Sequence, residues 1–181
     1  MDSFLLAQVL SAIGSIIFIS SVQFKQKRHI IYFLVASDLI GIASVALLGA
    51  WGGFTTTAIS LLPTLYVYYL GQHRHRPRPQ VAWLFWLILL FGWLAVYSSP
   101  VDILAFIGSS IYTFSLFQRN ENDVRSMLVV NQIAWLAWDL IVGLYVGAFF
   151  AICFLASDAI AIMHYRKHRR WAWRAIRHWW R

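Results

Sequence analysis

The sequence is poor in charge, in cysteine and in proline. Charged residues make up 12% of its 181 residues, which is about half the share of a typical soluble domain. So apolar a composition excludes an intrinsically disordered chain, and the single cysteine, Cys153, excludes an intrachain disulfide framework. Cys153 lies in an apolar run, so we expect a buried and unreactive thiol. Only four prolines are present, and Pro63 is the only one that falls within a predicted membrane span.

Apolar residues, in contrast, are abundant and make up 60% of the chain. They cluster in segments close to the ~20 residues that a transmembrane helix needs. We expect seven spans, at residues 4–24, 30–49, 54–71, 81–98, 101–118, 126–145 and 147–165. The apolar run at 87–91 breaks the alternation that the strands of a membrane barrel require. The predicted fold class is therefore an all-α membrane protein with seven transmembrane helices.

All 15 basic residues lie in alternate loops and in the C-terminal tail. The loops after the first, third and fifth spans hold three, three and two of them, and the tail at 166–181 holds seven. Loops rich in Lys and Arg face the cytoplasm, so the N-terminus is predicted outside and the C-terminus inside the cell. The net charge of +8 therefore indicates topology, and we do not expect binding to nucleic acid.

The tail at 166–181 has an amphipathic pattern of its own. A helix there would place its tryptophans on one face and its arginines on the other. The residues that carry this pattern are Trp171, Trp173, Arg174, Arg177, Trp179, Trp180 and Arg181. Basic, tryptophan-rich helices lie on anionic membrane surfaces, so the predicted partners are the bilayer and the anionic lipids of its cytoplasmic face. A frayed basic tail is the alternative.

The chain also contains an internal repeat, in which residue 10 aligns with residue 104. Leu10 to Ser15 align with Leu104 to Ser109, and the same offset pairs Gly49 with Gly143. The repeat divides the chain into a first three-helix unit at 4–71, a linker helix at 81–98 and a second unit at 101–165. One linker helix between two such units makes them run parallel, and substrate sites in proteins of this kind lie near mid-membrane between the units.

Several stretches resemble a known family. Leu5-Leu6-Ala7-Gln8, residues 47–53 and Gly147-Ala148-Phe149-Phe150 are similar to the YgjV family of bacterial inner membrane proteins, in a resemblance that covers residues 4–165. This resemblance implies a location in the inner membrane and a topology more than an activity.

The 3+1+3 arrangement also resembles the SWEET sugar facilitators, the PQ-loop proteins and the PnuC vitamin transporters. Trp135 and Trp138 fit the Trp-x-x-Trp motif of PnuC proteins, although Val142 stands where those proteins have an asparagine. The Pro-Gln dipeptide of PQ-loop proteins is absent. The resemblance implies a transport-type architecture without identifying a solute.

Three acidic residues, Asp38, Asp139 and Asp158, fall within predicted spans. Each costs about 2.5–3.5 kcal/mol at the centre of a membrane helix, so each should face the bundle interior or a wet cavity. No Lys or Arg lies within a predicted span to pair with them. At a rise of 1.5 Å per residue, Asp38 and Asp158 lie about 12 and 10 Å from the cytoplasmic side, so they share one layer.

The repeat extends this polar layer. It aligns the pair at 37–38 with the pair at 131–132, and the pair at 63–64 with the pair at 157–158, all at similar depth. We therefore predict a central site for a small polar solute or an ion. Its main residues are Asp38, Thr64, Asn131, Gln132, Trp135 and Asp158, and its secondary residues are Ser37, Ser157, Trp138 and Asp139. The alternative is that these groups only hydrogen-bond one another between helices.

The expected function is a facilitator or proton-coupled carrier of a small polar solute. The alternative is a non-transporting receptor or assembly protein that acts through its basic tail. The sequence holds no nucleophile–base pair, glycine-rich phosphate loop or metal-ligand motif. We therefore expect no enzymatic activity, no cofactor and no metal, and we leave homo-oligomerisation open.

Overall fold

The computed structural model describes residues 3–21, 24, 27–73, 77–118 and 121–157. Within these ranges the chain is helical, without β-strands, which confirms the predicted all-α class. The seven helices of the described part are α1 (Ser3–Ser21), α2 (Lys27–Leu47), α3 (Trp51–Gln72), α4 (Pro79–Val96), α5 (Asp102–Leu116), α6 (Glu121–Val142) and α7 (Tyr145–Ser157). Asp158 and the tail at 166–181 lie outside the described residues.

The helices differ in how well they suit a bilayer. By length and composition, three described segments can cross a membrane: α1, Arg28–Leu47 of α2, and α4. Helices α5 and α7 are apolar but shorter. Helices α3 and α6 have 22 residues each, with serine, threonine or amide residues between their apolar ones. The more polar helices are long enough to span, so their polar side chains need an interior to face.

Six of the helices form a ring. Helix α1 packs on α2, α2 on α3, α3 on α5 and α5 on α6, while α4 lies outside against α3 and α5. The ring closes where the rings of Phe18 in α1 and Phe154 in α7 meet, with centroids 5.2 Å apart. Two buried apolar clusters lie within it, one around Leu34 and Leu116 and the other around Val45 and Trp138.

The structure corrects the positions of two turns. The predicted spans placed the break before the seventh helix at Val146, but the chain turns at Gly143, and Val146 lies inside α7. The break before α3 likewise ends at Ala50 rather than Gly53. The reason is backbone geometry, since Gly49 and Gly143 have φ of +66° and +85°, the left-handed conformation that ends helices and favours glycine.

The outer surface of the ring is apolar. Large hydrophobic side chains on the outward faces are exposed, among them Trp83 (59%) and Phe91 (67%) of α4 and Phe149 (61%) of α7. Cys153 is exposed on α7 too, so the expectation of a buried thiol was wrong. Contiguous apolar exposure of this kind is rare on soluble monomers, whereas lipid tails cover it in a bilayer. Only packing decided which face of α7 carries the cysteine.

Candidate functional site

A cavity of about 150 Å³, the central cavity, lies inside the ring. Every helix except α4 contributes to its lining among the described residues. One lining residue from each helix in chain order is Ser11, Asp38, Thr57, Tyr112, Asn131 and Phe150. An engineered cavity of about 150 Å³ in another protein holds benzene, so the space suits a small solute.

The central cavity brings together most of the residues predicted from the sequence. Those that line it are Asp38, Asn131, Gln132 and Trp135 of the main set and Ser37, Trp138 and Asp139 of the secondary set. Thr64 lies behind the cavity wall and is fully buried. Ser157, the last described residue of α7, is not among the lining residues. Asp158 lies outside the described part of the chain.

Asp38 is held by two hydroxyl groups from other helices. The Tyr112 hydroxyl of α5 donates to Asp38 Oδ2 at 2.8 Å, and Thr64 Oγ1 of α3 donates to the same oxygen at 3.1 Å. The two hydroxyl oxygens are themselves 3.1 Å apart. This network joins α2, α3 and α5 at one point. Thr64 thus fits the interhelical bonding alternative, while Asp38 both bonds and lines the cavity.

Sequence reasoning missed Tyr112. The repeat aligns it with Phe18, so the offset that paired the other polar residues left it unmarked. Its hydroxyl is the group closest to the Asp38 carboxylate among the described hydrogen bonds. The sequence did contain a signal for it, because Tyr112 lies in the middle of an apolar span. Tyrosines of membrane proteins favour the span ends at the interface, so a tyrosine in the middle indicates a polar contact inside the bundle.

Asp139 has a different environment in the same cavity. A Cβ atom added at Gly147 would lie 2.8 Å from both Asp139 Oδ2 and Ser11 Oγ. The glycine therefore lets α7 approach the carboxylate closely. Among the described residues, no side chain donates a hydrogen bond to the Asp139 carboxyl group. The acid is thus left facing the cavity.

Helix α6 supplies the rest of the polar wall. Asn131 is 3% exposed, and its Oδ1 has no hydrogen-bond partner among the described residues. Trp135 and Trp138 follow one and two turns later, with ring centroids 5.3 Å apart and planes at 79°. Trp138 Nε1 is also without a partner in the described part. Unsatisfied buried polar atoms are rare in proteins, so this wall has unused hydrogen-bonding capacity.

The described lining of the central cavity contains acidic side chains but no basic ones. Asp38 and Asp139 are its only ionisable carboxylates, and none of the lining residues is Lys, Arg or His. Arg28 bonds to Tyr32 and Gln72, and Arg125 bonds to the Phe24 carbonyl, both at one end of the ring. Among the described residues, no group of three His, Cys, Asp or Glu could hold a metal ion.

Comparison with known proteins shows which family the chain belongs to. The chain matches no curated protein and no solved structure. The model of a family described as bacterial inner membrane protein, Imp-YgjV, matches residues 5–169. This range covers all seven described helices apart from the first residues of α1. The apolar outer surface fits that location, and the chain belongs to the Imp-YgjV family of bacterial inner membrane proteins.

Proposed function

We propose that this inner membrane protein is a facilitator or proton-coupled carrier that moves a small polar solute through the central cavity. The observation that carries the proposal is the cavity itself, in which polar side chains from both halves of the chain surround a space of solute size. Polar groups inside a membrane protein are costly and are typical of substrate or ion pathways. A purely structural role would leave these groups paired, whereas Asn131 Oδ1 has no partner in the described part.

The proposed architecture is two parallel three-helix units joined by α4. Matching contacts support it. Gln8 of α1 bonds to the turn before α7, with its Nε2 donating to Gly143 O and its Oε1 accepting from Val146 N. The repeat offset aligns Gln8 with Asp102 and Val146 with Gly52, and the carboxylate of Asp102 lies against Gly52. Each unit thus places a polar residue from the N-terminal part of its first helix against the start of the other unit's third helix.

A second pair of matching contacts lies within the units. Ser37 Oγ donates to Gly14 O at 3.0 Å in the first unit. Gly108 lies against Asn131 and Trp135 in the second, and the offset aligns Gly14 with Gly108 and Ser37 with Asn131. This correspondence supports a two-fold axis that passes through the central cavity. Rocking of one unit against the other would then open the cavity to either side in turn.

The orientation that we propose has the N-terminus outside and the basic loops in the cytoplasm. Arg28, Gln72 and Arg125 meet other chain segments at a single end of the ring, which supports a common side for the basic residues. The receptor or assembly alternative depends on the tail at 166–181, which lies outside the described residues. The polar cavity favours the carrier.

The test starts with a thermal-shift screen of the purified full-length protein against small polar metabolites, both charged and neutral. Compounds that raise Tm are then assayed for uptake into proteoliposomes. We expect saturable uptake that Asp38→Asn abolishes, because this change removes the carboxylate that Tyr112 and Thr64 hold at the cavity wall. Asp158→Asn tests the predicted partner from the unit opposite.

The matched control is Asp123→Asn, which removes an exposed carboxylate near the start of α6 and should leave uptake unchanged. A screen in which no compound raises Tm, or uptake no faster than into empty liposomes, would overturn the carrier proposal. Uptake that is equal in Asp38→Asn and the parent protein would remove Asp38 from the site.

A further inference from the structure

We infer that the solute of the central cavity is a small organic ammonium ion that carries N–H donors; this inference rests on the proposed function and names its substrate class. The first observation is the composition of the lining. Two carboxylates, Asp38 and Asp139, share one cavity with no basic side chain among the described lining residues. Two acids without a counter-charge in a membrane interior attract a cation, since the interaction of charges is strongest in surroundings of low dielectric constant.

A second and independent observation favours a cation with hydrogen-bond donors. Asn131 lines the cavity, is 3% exposed, and leaves its Oδ1 without a partner in the described part of the chain. An amide oxygen only accepts hydrogen bonds. Asp139 likewise has a carboxylate that no described side chain bonds. An ammonium group supplies both the charge and the N–H donors that these oxygens lack, whereas a sugar-like solute supplies donors without charge.

The aromatic wall fits the same class. Trp135 and Trp138 both line the cavity, set almost perpendicular to each other at 79°. Tyr112 adds a third ring beside Asp38. Aromatic faces attract ammonium groups, and tryptophan does so most strongly. The rings also cover the hydrocarbon part of an organic cation, which a bare metal ion does not possess. Together these groups distinguish an organic ammonium ion from an inorganic cation.

Size restricts the solute further. The cavity volume of about 150 Å³ matches that of an engineered cavity that holds benzene. A solute about as large as benzene therefore fits this space. The probes are the straight-chain forms of butanediol, aminobutanol and diaminobutane, each with one polar group at either end of a four-carbon chain. They have equal numbers of non-hydrogen atoms and carry no charge, one charge and two charges, respectively. They form a probe series in which only the charge and the number of N–H donors change.

The experiment measures binding of the three probes to the purified full-length protein by thermal shift and isothermal titration calorimetry. We expect affinity to rise in the order butanediol, aminobutanol, diaminobutane, by about tenfold at each step. Asp139→Asn and Asp38→Asn should each weaken diaminobutane binding about tenfold while changing butanediol binding little. Asp139→Glu, which keeps the charge, should preserve the order, and Asp123→Asn should bind like the parent protein.

Each other outcome has a definite meaning. Equal binding of all three probes would overturn the ammonium inference while leaving a carrier of neutral solutes in place. Binding that follows charge but is the same in both cavity variants would move the cation to another site and also overturn the inference. If an asparagine variant does not fold, as judged by gel filtration and circular dichroism, Trp135→Leu replaces it, and unchanged binding of the charged probes in that variant counts against the inference.

Discussion

At the scale of single residues, glycine decides how closely the helices approach. Gly52 lies against the Asp102 carboxylate and Gly53 against the indole ring of Trp138, where added Cβ atoms would overlap their neighbours. Asp102 cannot simply turn away, because its Oδ2 accepts hydrogen bonds from the backbone N–H groups of Ser98 and Ser99 at 3.1 and 3.0 Å. These two glycines therefore bring α3 to the start of α5 and to α6.

We expect Gly52→Ala to destabilise the protein by about 1–3 kcal/mol, the usual cost of forcing extra volume into a packed site. The measurement is Tm of the purified protein in detergent. Gly71→Ala in the same helix is the matched control, because Gly71 is exposed and has no neighbouring atom within 4 Å of the added carbon. There, alanine should raise stability by about 0.5–1 kcal/mol through its higher helix propensity. Equal Tm values for the two variants would contradict this account.

At the scale of helices, a few polar contacts join the N-terminal and C-terminal halves of the chain. Gln8 connects α1 to Gly143, in the turn after α6, and to Val146, in the first turn of α7, through bonds of 2.8 and 3.1 Å. At the other end of the ring, Arg125 Nη2 of α6 donates to the Phe24 carbonyl, after α1, at 3.0 Å. Backbone groups at helix ends lack intrahelical partners, and these two side chains from distant helices satisfy some of them. Contacts at the helix ends thus connect helices that are distant in sequence.

We expect Gln8→Leu to lower stability by about 1–3 kcal/mol, because it leaves the Gly143 carbonyl and the Val146 amide unsatisfied. Chemical or thermal unfolding of the purified protein, followed by circular dichroism, measures the change. Gln80→Leu, at an exposed position at the start of α4, should change stability by less than about 0.5 kcal/mol. A loss as large at Gln80 as at Gln8 would show that the contact itself is not responsible.

At the scale of the whole molecule, the outer surface is apolar, and polar side chains line the central cavity between the buried apolar clusters. Exposed side chains such as Phe91 and Phe149 face outward, while Asp38, Asp139 and Asn131 face the central cavity. Large apolar patches of this kind are rarely exposed on soluble monomers. Such a surface requires a bilayer around the ring, in agreement with the inner membrane family. The proposed topology then assigns each end of the ring to one side of that bilayer.

The topology predicts which cysteines are accessible from outside. In a Cys153→Ser background, Pro100→Cys and Gln80→Cys place single thiols at exposed positions at the two ends of α4. A membrane-impermeant maleimide should label the first in intact spheroplasts and the second only after permeabilisation, because basic loops stay in the cytoplasm. The reverse pattern would invert the orientation. Labelling of both before permeabilisation would show that α4 does not span the membrane.

Much of the fold follows from the sequence because hydrophobicity and charge are local properties. Each of the seven helices overlaps its predicted span, since an apolar run of the right length is helical wherever it enters a membrane. The boundaries were less accurate at Gly49 and Gly143, where several glycines stood close together. Only the backbone conformation showed which glycine ends the helix and which lies inside the next one.

The candidate site was predicted in part. A carboxylate within an apolar run is visible in the sequence, so Asp38 and Asp139 were identified as inward-facing. Internal symmetry pointed to Asn131 and Gln132. Symmetry could not find Tyr112, whose aligned partner is the apolar Phe18, and it placed Thr64 in the lining, although Thr64 lies behind it. The depth of a residue along a helix can be counted from the sequence. The direction in which its side chain points around the helix axis is set by the helices packed against it.

The sequence by itself determined that this protein is a helical membrane protein, where its helices run and which acids lie among them. Those properties follow from the free-energy cost of placing polar groups in hydrocarbon. This cost depends on the residues of each segment by itself, so it can be read from the sequence. Only the tertiary structure decided that Asp38 and Asp139 share one cavity, and that Tyr112 and Thr64 hold the first while no described side chain bonds the second. Those facts depend on the close approach of helices distant in sequence, which is set by their packing.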